Sequence, residues 1–370
     1  MNRLGQGETM RAEKDPKRII EAALHEQLAS ECPGAILEIS APSLGFAFSE
    51  AQGLYVRNGS RPLRTNDLFR SASVTKAVTA TLAVYLAANR YWDLDDSITN
   101  FLPTQVIGKL HKLEGLNNVN ELTIRRLLSH TSGLPDYFFD KNFQEQAKAD
   151  PNHIWQPEEL VDAATENRIL LFSPGTDFSY GDTGYVIVGI AIERLLDRSL
   201  ADAYRTCIFN PLEMEKTYLE WRETSRGDNL SHNYDGRDDL RGKNLSFDWA
   251  GGGLVTTAND LTRFLRGLFD EKLFNHRWVT ELISWRDETR WRPNSSARYI
   301  RYGLGLGTNI AYGEELIGVT GIWGAFAYYW PACDATITGT LNLVGADHLA
   351  LLDATINALK QINPDMSNLR

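Results

Sequence analysis

The residues of this chain with the clearest chemical potential stand in the run Phe69-Arg70-Ser71-Ala72-Ser73-Val74-Thr75-Lys76-Ala77. Ser73 and Lys76 are three apart, so on a helix both side chains lie on one face. Between Arg70 and Arg90, Lys76 is the sole charged residue in a stretch of Ala, Val, Leu and Thr. A helix apolar nearly all round is a buried helix. Burial disfavours the ammonium relative to the amine, which makes such a lysine a proton acceptor. A serine hydroxyl beside it can then serve as a nucleophile. The competing structural reading is a helix start capped by Ser73, with a lysine that snorkels to the surface.

Other chemistries leave weaker traces. No serine sits at the centre of a G-x-S-x-G elbow. The seven histidines are scattered without H-E-x-x-H spacing, and Cys32, Cys207 and Cys333 lie far apart with no C-x-x-C. An odd cysteine count suits a reducing compartment. Gly251–Gly253 precedes no G-K-[ST] and reads as a tight turn into a helix capped by Thr257 or Asn259. Neither a metal nor an organic cofactor is expected. The 38 Lys+Arg against 48 Asp+Glu give a net charge of −10, which disfavours nucleic acid. Met1–Arg18 is polar, without the apolar run of a signal peptide. Ala77–Ala88 falls short of the about 20 residues needed to span a bilayer. No membrane association is expected, and the expected location is the cytoplasm.

Elements that would position Ser73 and Lys76 follow from hydrophobic period. Pro16–Ala29 reads as an amphipathic helix, and Ala35–Ser40 with Phe46–Glu50 as a hairpin around a Pro42–Gly45 turn. Thr75–Asn89, Ile124–Leu128, Gly184–Asp197 and Asn259–Leu268 carry helical patterns. Strand texture returns at Tyr302–Leu306, Ala325–Trp330 and Ala335–Val344, and His348–Ile362 closes as a helix. Glu288–Arg301 is the most loop-like segment, while Lys141–Trp155 and Trp221–Asn244 are poorly patterned. The expected class is α+β: an antiparallel sheet flanked by N- and C-terminal helices, with a mainly helical domain inserted. The expected division is a polar tail over 1–14, a sheet-and-helix domain over 15–72 plus 250–370, and a helical domain over 73–249.

The serine–lysine segment resembles the first motif of the serine β-lactamase and penicillin-binding-protein superfamily, in particular its class C branch with esterases, D-peptidases and amidases. The resemblance runs in order over roughly residues 30–345. It includes Leu94-Asp95-Asp96 with Phe101-Leu102-Pro103, and Leu127-Leu128-Ser129-His130-Thr131-Ser132-Gly133-Leu134. Pro174-Gly175-Thr176-Asp177-Phe178-Ser179-Tyr180 and Gly251-Gly252-Gly253-Leu254-Val255-Thr256-Thr257-Ala258-Asn259-Asp260-Leu261 extend it. The resemblance implies Ser73 as the nucleophile of an acyl-enzyme, Lys76 as its neighbour, and Tyr180 as the phenol that moves protons with the lysine. The ordinary structural alternative for Tyr180 is a core tyrosine. His130, in its tight polar turn, orders the loop.

Two positions depart from the family pattern. The usual Tyr-x-Asn is Tyr180-Gly181-Asp182, and a carboxylate can only accept hydrogen bonds. Asp182 could replace asparagine quietly, pair with Lys76 and leave Tyr180 as the main base, or bind a substrate ammonium. The third motif aligns as Gly318-Val319-Thr320-Gly321-Ile322-Trp323-Gly324, with Val319 where a Lys or His is common. A shifted register centred on Trp323-Gly324 is the alternative. Missing that cation disfavours substrates ending in a free carboxylate. The amides of Ser73 and Ile322 remain available for an oxyanion. Among late tryptophans (Trp285, Trp291, Trp323, Trp330), one or two are expected at a substrate pocket. The implied function is a serine hydrolase for a small ester or amide, with Asp182, Val319, Thr320, Gly321, Ile322 and Trp323 about the substrate. Alternatives are a D-amino-acid peptidase or amidase, a β-lactamase or D-alanyl-D-alanine carboxypeptidase, and a catalytically degenerate binding protein.

Overall fold

The computed structural model describes residues 15–28, 31–284 and 300–363. Helix α1, Pro16–Leu28, buries Ile20, Ala23 and Leu24 along one side. Strands β1 (Gly34–Ala41) and β2 (Phe46–Gly53) form the expected hairpin, with Ile39 opposite Phe48. Pro42–Leu44 makes a single 3-10 turn between them, and Gly45 closes it at φ 58°. Four strands follow late in the chain: β3 (Gly307–Ala311), β4 (Glu314–Thr320), β5 (Ala325–Trp330) and β6 (Ala335–Leu341). The six form one antiparallel sheet in the order β2-β1-β6-β5-β4-β3. Pairing of β1 with β6, Ile39 opposite Ile337, joins the two ends of the chain.

Alternation along the strands gives the sheet two apolar faces, and helices cover both. On one face, α1 and the closing helix α5 (Leu349–Ile362) pack together, burying Leu24, Ile337, Leu352, Ile356 and Leu359 in one cluster. Toward the other lie α2 (Val74–Ala88), α3 (Thr183–Leu196) and α4 (Ala258–Phe269). Thr257 caps α4 by accepting from the Asp260 N–H at 3.1 Å. Helix α2 is buried everywhere except Tyr85 and Ala88, as its all-round apolar sequence predicts. Fully buried Leu, Ile and Phe side chains of this kind contribute about 1.5–3 kcal/mol each. A short ladder, Phe69–Arg70 against Leu254–Thr256, fixes the approach to α2.

One expected strand is absent. Tyr302–Leu306 makes a single bridge, Tyr302 to Gly307, and the ladder begins only at Gly307. Gly305 sits at φ 74°, and a Cβ there would lie 2.6 Å from the Lys76 carbonyl oxygen. The apolar residues of this segment therefore reflect packing against α2, a burial that needs no ladder. The poorly patterned Lys141–Trp155 holds a helix over Lys141–Ala149, started by Asp140 accepting from the Phe143 N–H at 3.0 Å. The loop-like expectation over Glu288–Arg301, apart from its last two residues, and the 1–14 tail lie outside the described residues.

Candidate active site

Ala72 adopts φ 46°, a left-handed conformation that side chains other than glycine's disfavour. The kink is tied by Val74 N–H to Ser71 O at 3.1 Å, and by the Ser71 hydroxyl to Leu254 O at 2.9 Å. It sets Ser73 at the start of α2, bordering a cleft of about 170 Å³. Ser73 holds the cap position, yet its side chain makes no capping hydrogen bond. The hydroxyl is thus left for other partners.

Lys76 does not snorkel. It is fully buried, and its Nζ donates to Ser73 Oγ at 3.1 Å, Asp182 Oδ1 at 2.6 Å and Gly251 O at 2.9 Å. Three donors thus meet three acceptors, the arrangement a buried ammonium requires. The aspartate that departs from the family pattern is the lysine's ion-pair partner. Of the readings open for Asp182, pairing with Lys76 matches this geometry, but its corollary, Tyr180 as the main base, does not, because burial and the Asp182 charge keep the phenol protonated. Gly251 had no signal as a lysine acceptor. A Cβ there would fall 2.1 Å from Asp182 Oδ1, so only glycine admits the carboxylate.

Tyr180 borders the same cleft as Ser73. Burial, reinforced by the Asp182 charge, pushes its phenol well above the ordinary tyrosine range, so the phenol stays protonated. Its ring centroid is 5.1 Å from Lys76 Nζ and 4.3 Å from the His130 ring. His130 sits at φ 59° and is held neutral by burial and by the Lys76 charge. Its Nδ1 accepts from the Gly181 N–H at 3.3 Å, and its carbonyl from the Ser179 N–H at 2.9 Å. The histidine therefore braces the tyrosine segment, as its turn context predicts.

The facing wall is the end of β4. Thr320, Gly321 and Ile322 border the cleft. A Cβ on Gly321 would lie 2.2 Å from Ser71 O, so glycine lets this wall approach the serine turn. The amides of Ser73 and Ile322 donate to no carbonyl among the described residues. Val319 behaves differently from the other third-motif residues. It is fully buried in the apolar cluster that holds Val78 and Ala83, and it does not border the cleft. Trp323 does not border it either; its Nε1–H donates to Asp248 Oδ2 at 3.0 Å. The aromatic lining comes instead from Phe138 and Phe139, which meet edge to face at 4.9 Å. Of the late tryptophans, Trp330 is buried, while Trp285 and Trp291 lie outside the described residues.

Two buried carboxylates escape sequence reasoning. Asp136 Oδ1 accepts from the Asp182 N–H at 2.8 Å, and burial with the neighbouring Asp182 charge pushes its carboxyl up to about 7. Asp248 borders the cleft, and burial pushes its carboxyl up to about 7 as well. Asp136 lies two residues after the block ending at Leu134 and Asp248 three before the block opening at Gly251, and that proximity was the available signal. Among the described residues, no group of three or more His, Cys, Asp or Glu is arranged to hold a metal ion. No helix among them is long and apolar enough to cross a membrane.

The fold has known counterparts. The structure resembles a D-stereospecific amidohydrolase from Streptomyces sp., with TM-score 0.77 and 25% identity over 92% of this chain and 98% of the other. In sequence, a penicillin-binding protein of Bacillus subtilis (strain 168) is 33% identical over 47% of this chain and 36% of its own length. Esterase EstB of Burkholderia gladioli is 30% identical over 45% of this chain and 42% of its own. The chain thus aligns with less than half the length of these two relatives. The Beta-lactamase family profile matches residues 29–361, and the chain belongs to that family.

Proposed function

We propose that the protein is a serine hydrolase that cleaves a small ester or amide through an acyl-enzyme on Ser73. The observation that carries this reading is the Lys76 ammonium 3.1 Å from Ser73 Oγ, at a cleft bordered by both Ser73 and Tyr180. Asp182, 2.6 Å from Nζ, can take one lysine proton, and the amine so formed accepts the proton of Ser73 as Oγ attacks the substrate carbonyl. The developing oxyanion is met by the Ser73 and Ile322 amides. Tyr180, its hydroxyl buried and protonated, donates its proton to the departing oxygen or nitrogen and regains one from the lysine side. Water then repeats the sequence in reverse and frees Ser73.

A second reading, a D-amino-acid amidase or peptidase, draws on the likeness to the D-stereospecific amidohydrolase along nearly the whole chain. Substrates ending in a carboxylate, such as β-lactams or cell-wall peptides, find an apolar buried Val319 in place of the common cation. Incubation with p-nitrophenyl acetate, D-alanine p-nitroanilide and a β-lactam, followed by mass spectrometry, tests the proposal. An acyl adduct on Ser73, lost in Ser73→Ala, is the expected outcome. Absence of both an adduct on Ser73 and any turnover with every probe would favour the binding-protein alternative.

A further inference from the structure

The site holds more acid than the mechanism uses, with Asp182 and Asp248 bordering the cleft and Asp136 set back from it. Asp136, Asp182 and Asp248 cluster around a single lysine, and only Asp182 is bonded to it. Asp248 borders the cleft and is 4% exposed. Its Oδ2 accepts from Trp323 Nε1, while Oδ1, itself buried, has no hydrogen-bonding partner among the described residues. The nearby cations are already committed. Lys76 donates to Ser73, Asp182 and Gly251. Arg70 grips Glu220 at 2.8 and 2.9 Å, and also reaches the carbonyls of Leu240, Arg241 and Lys243.

A buried polar atom without a partner costs about 1–3 kcal/mol, and more when it carries charge. Adding a proton does not resolve this, because the new O–H would need an acceptor of its own. A neutral substrate that offers no donor there would leave the deficit in place. A ligand cation would remove it with a charge-assisted hydrogen bond. We infer that Asp248 anchors a positively charged substituent of the substrate, so that the enzyme acts on esters or amides bearing a primary ammonium. This rests on the hydrolase reading above and assigns that site its substrate class. It gives Asp248 the role once open to Asp182, whose carboxylate is held by Lys76.

A pH signature accompanies the assignment. The groups facing Asp248 are Asp182, Lys76, Arg70, Tyr137 and the Trp323 indole. Lys76 and Arg70 are ion-paired, and burial pushes the Tyr137 phenol far above its ordinary range. The Asp248 carboxyl, held up to about 7 by burial, ionises as pH rises through neutrality. Ammonium binding therefore strengthens with pH until the ligand amine loses its own proton.

Inhibition of p-nitrophenyl acetate hydrolysis by two near-isosteric amides tests this on the intact protein. Alaninamide, in both enantiomers, carries an ammonium where isobutyramide carries a methyl group. The expected result is at least about tenfold tighter inhibition by one alaninamide than by isobutyramide. That ratio should fall toward one in Asp248→Asn, whatever happens to the absolute rate, and in the wild type it should grow between about pH 5.5 and 7.5. Equal inhibition by the amides in the wild-type protein overturns the inference while leaving the hydrolase reading intact. So does a preference that survives Asp248→Asn. If p-nitrophenyl acetate never acylates Ser73, the hydrolase reading itself fails, and the inference with it.

Discussion

On the helical wall of the cleft, Lys76 and Asp182 are buried and hydrogen-bonded behind Ser73, and the half-buried Tyr180 borders the cleft beside them. The strand wall, Thr320 to Ile322 at the end of β4, presents the Ile322 amide and an apolar side chain, with Val319 turned into the core behind it. Proton transfer needs titratable groups at fixed separations, and a buried helix start supplies them. Holding a carbonyl needs only main-chain donors, and the proposed ones are the amides of Ser73, at the helix start, and Ile322, in the turn after β4. The difference shows where variation is tolerated: removing a charge from the strand wall leaves its amide in place, whereas on the helical wall Lys76 and Asp182 are each other's partners.

The sharpest way to break this contrast is Ser73→Ala. Turnover of p-nitrophenyl acetate should fall by at least about 10³-fold, with the fold intact, because the serine makes no capping bond and Lys76 keeps two acceptors. Tyr180→Phe should lower kcat by about 10²–10⁴-fold, and more for anilides than for phenyl esters, since an amine leaving group depends more on protonation. Stopped-flow rates on a matched ester and anilide measure the difference. Asp182→Ala strands a buried ammonium and should cost about 3–5 kcal/mol in urea unfolding, with Asp182→Asn milder because it keeps an acceptor. On the strand wall, Val319→Ala should cost about 1–2 kcal/mol of stability through lost apolar contact while leaving p-nitrophenyl acetate kinetics within about twofold. A large kinetic loss there would mean that Val319 shapes the site.

The subtlest test is a slope. The folded Asp248 carboxyl is raised from 3.8 to about 7, so between those values the folded state binds the proton that the unfolded state releases. Stability from this group is full below about pH 4 and lost as pH rises to about 7. Asp248→Asn lacks that loss. Its melting temperature relative to wild type should climb from pH 4 to 7 and then level; a flat difference would mean that the carboxyl is not raised.

Much of the frame was legible because period and burial coincide. The hairpin, α2, α3, α4 and the end helices lie within a few residues of their hydrophobic patterns. Tyr302–Leu306 was misread because an apolar run reports burial, and here burial comes from crossing α2 rather than from a ladder. The Lys141–Ala149 helix stayed hidden because Phe143 is its one fully buried residue.

For the site, the sequence by itself determined the local pair. Ser73 and Lys76 share a face because helical geometry fixes three-residue spacing, and an apolar helix with one lysine must bury that lysine. What holds the lysine was decided only by the tertiary structure. Asp182 and Gly251 stand 106 and 175 residues away, and their acceptors converge on Nζ because α3 and the glycine turn pack against α2. The same packing leaves one oxygen of Asp248 without a partner and turns Val319 inward, since which face a strand residue presents depends on what lies against the sheet.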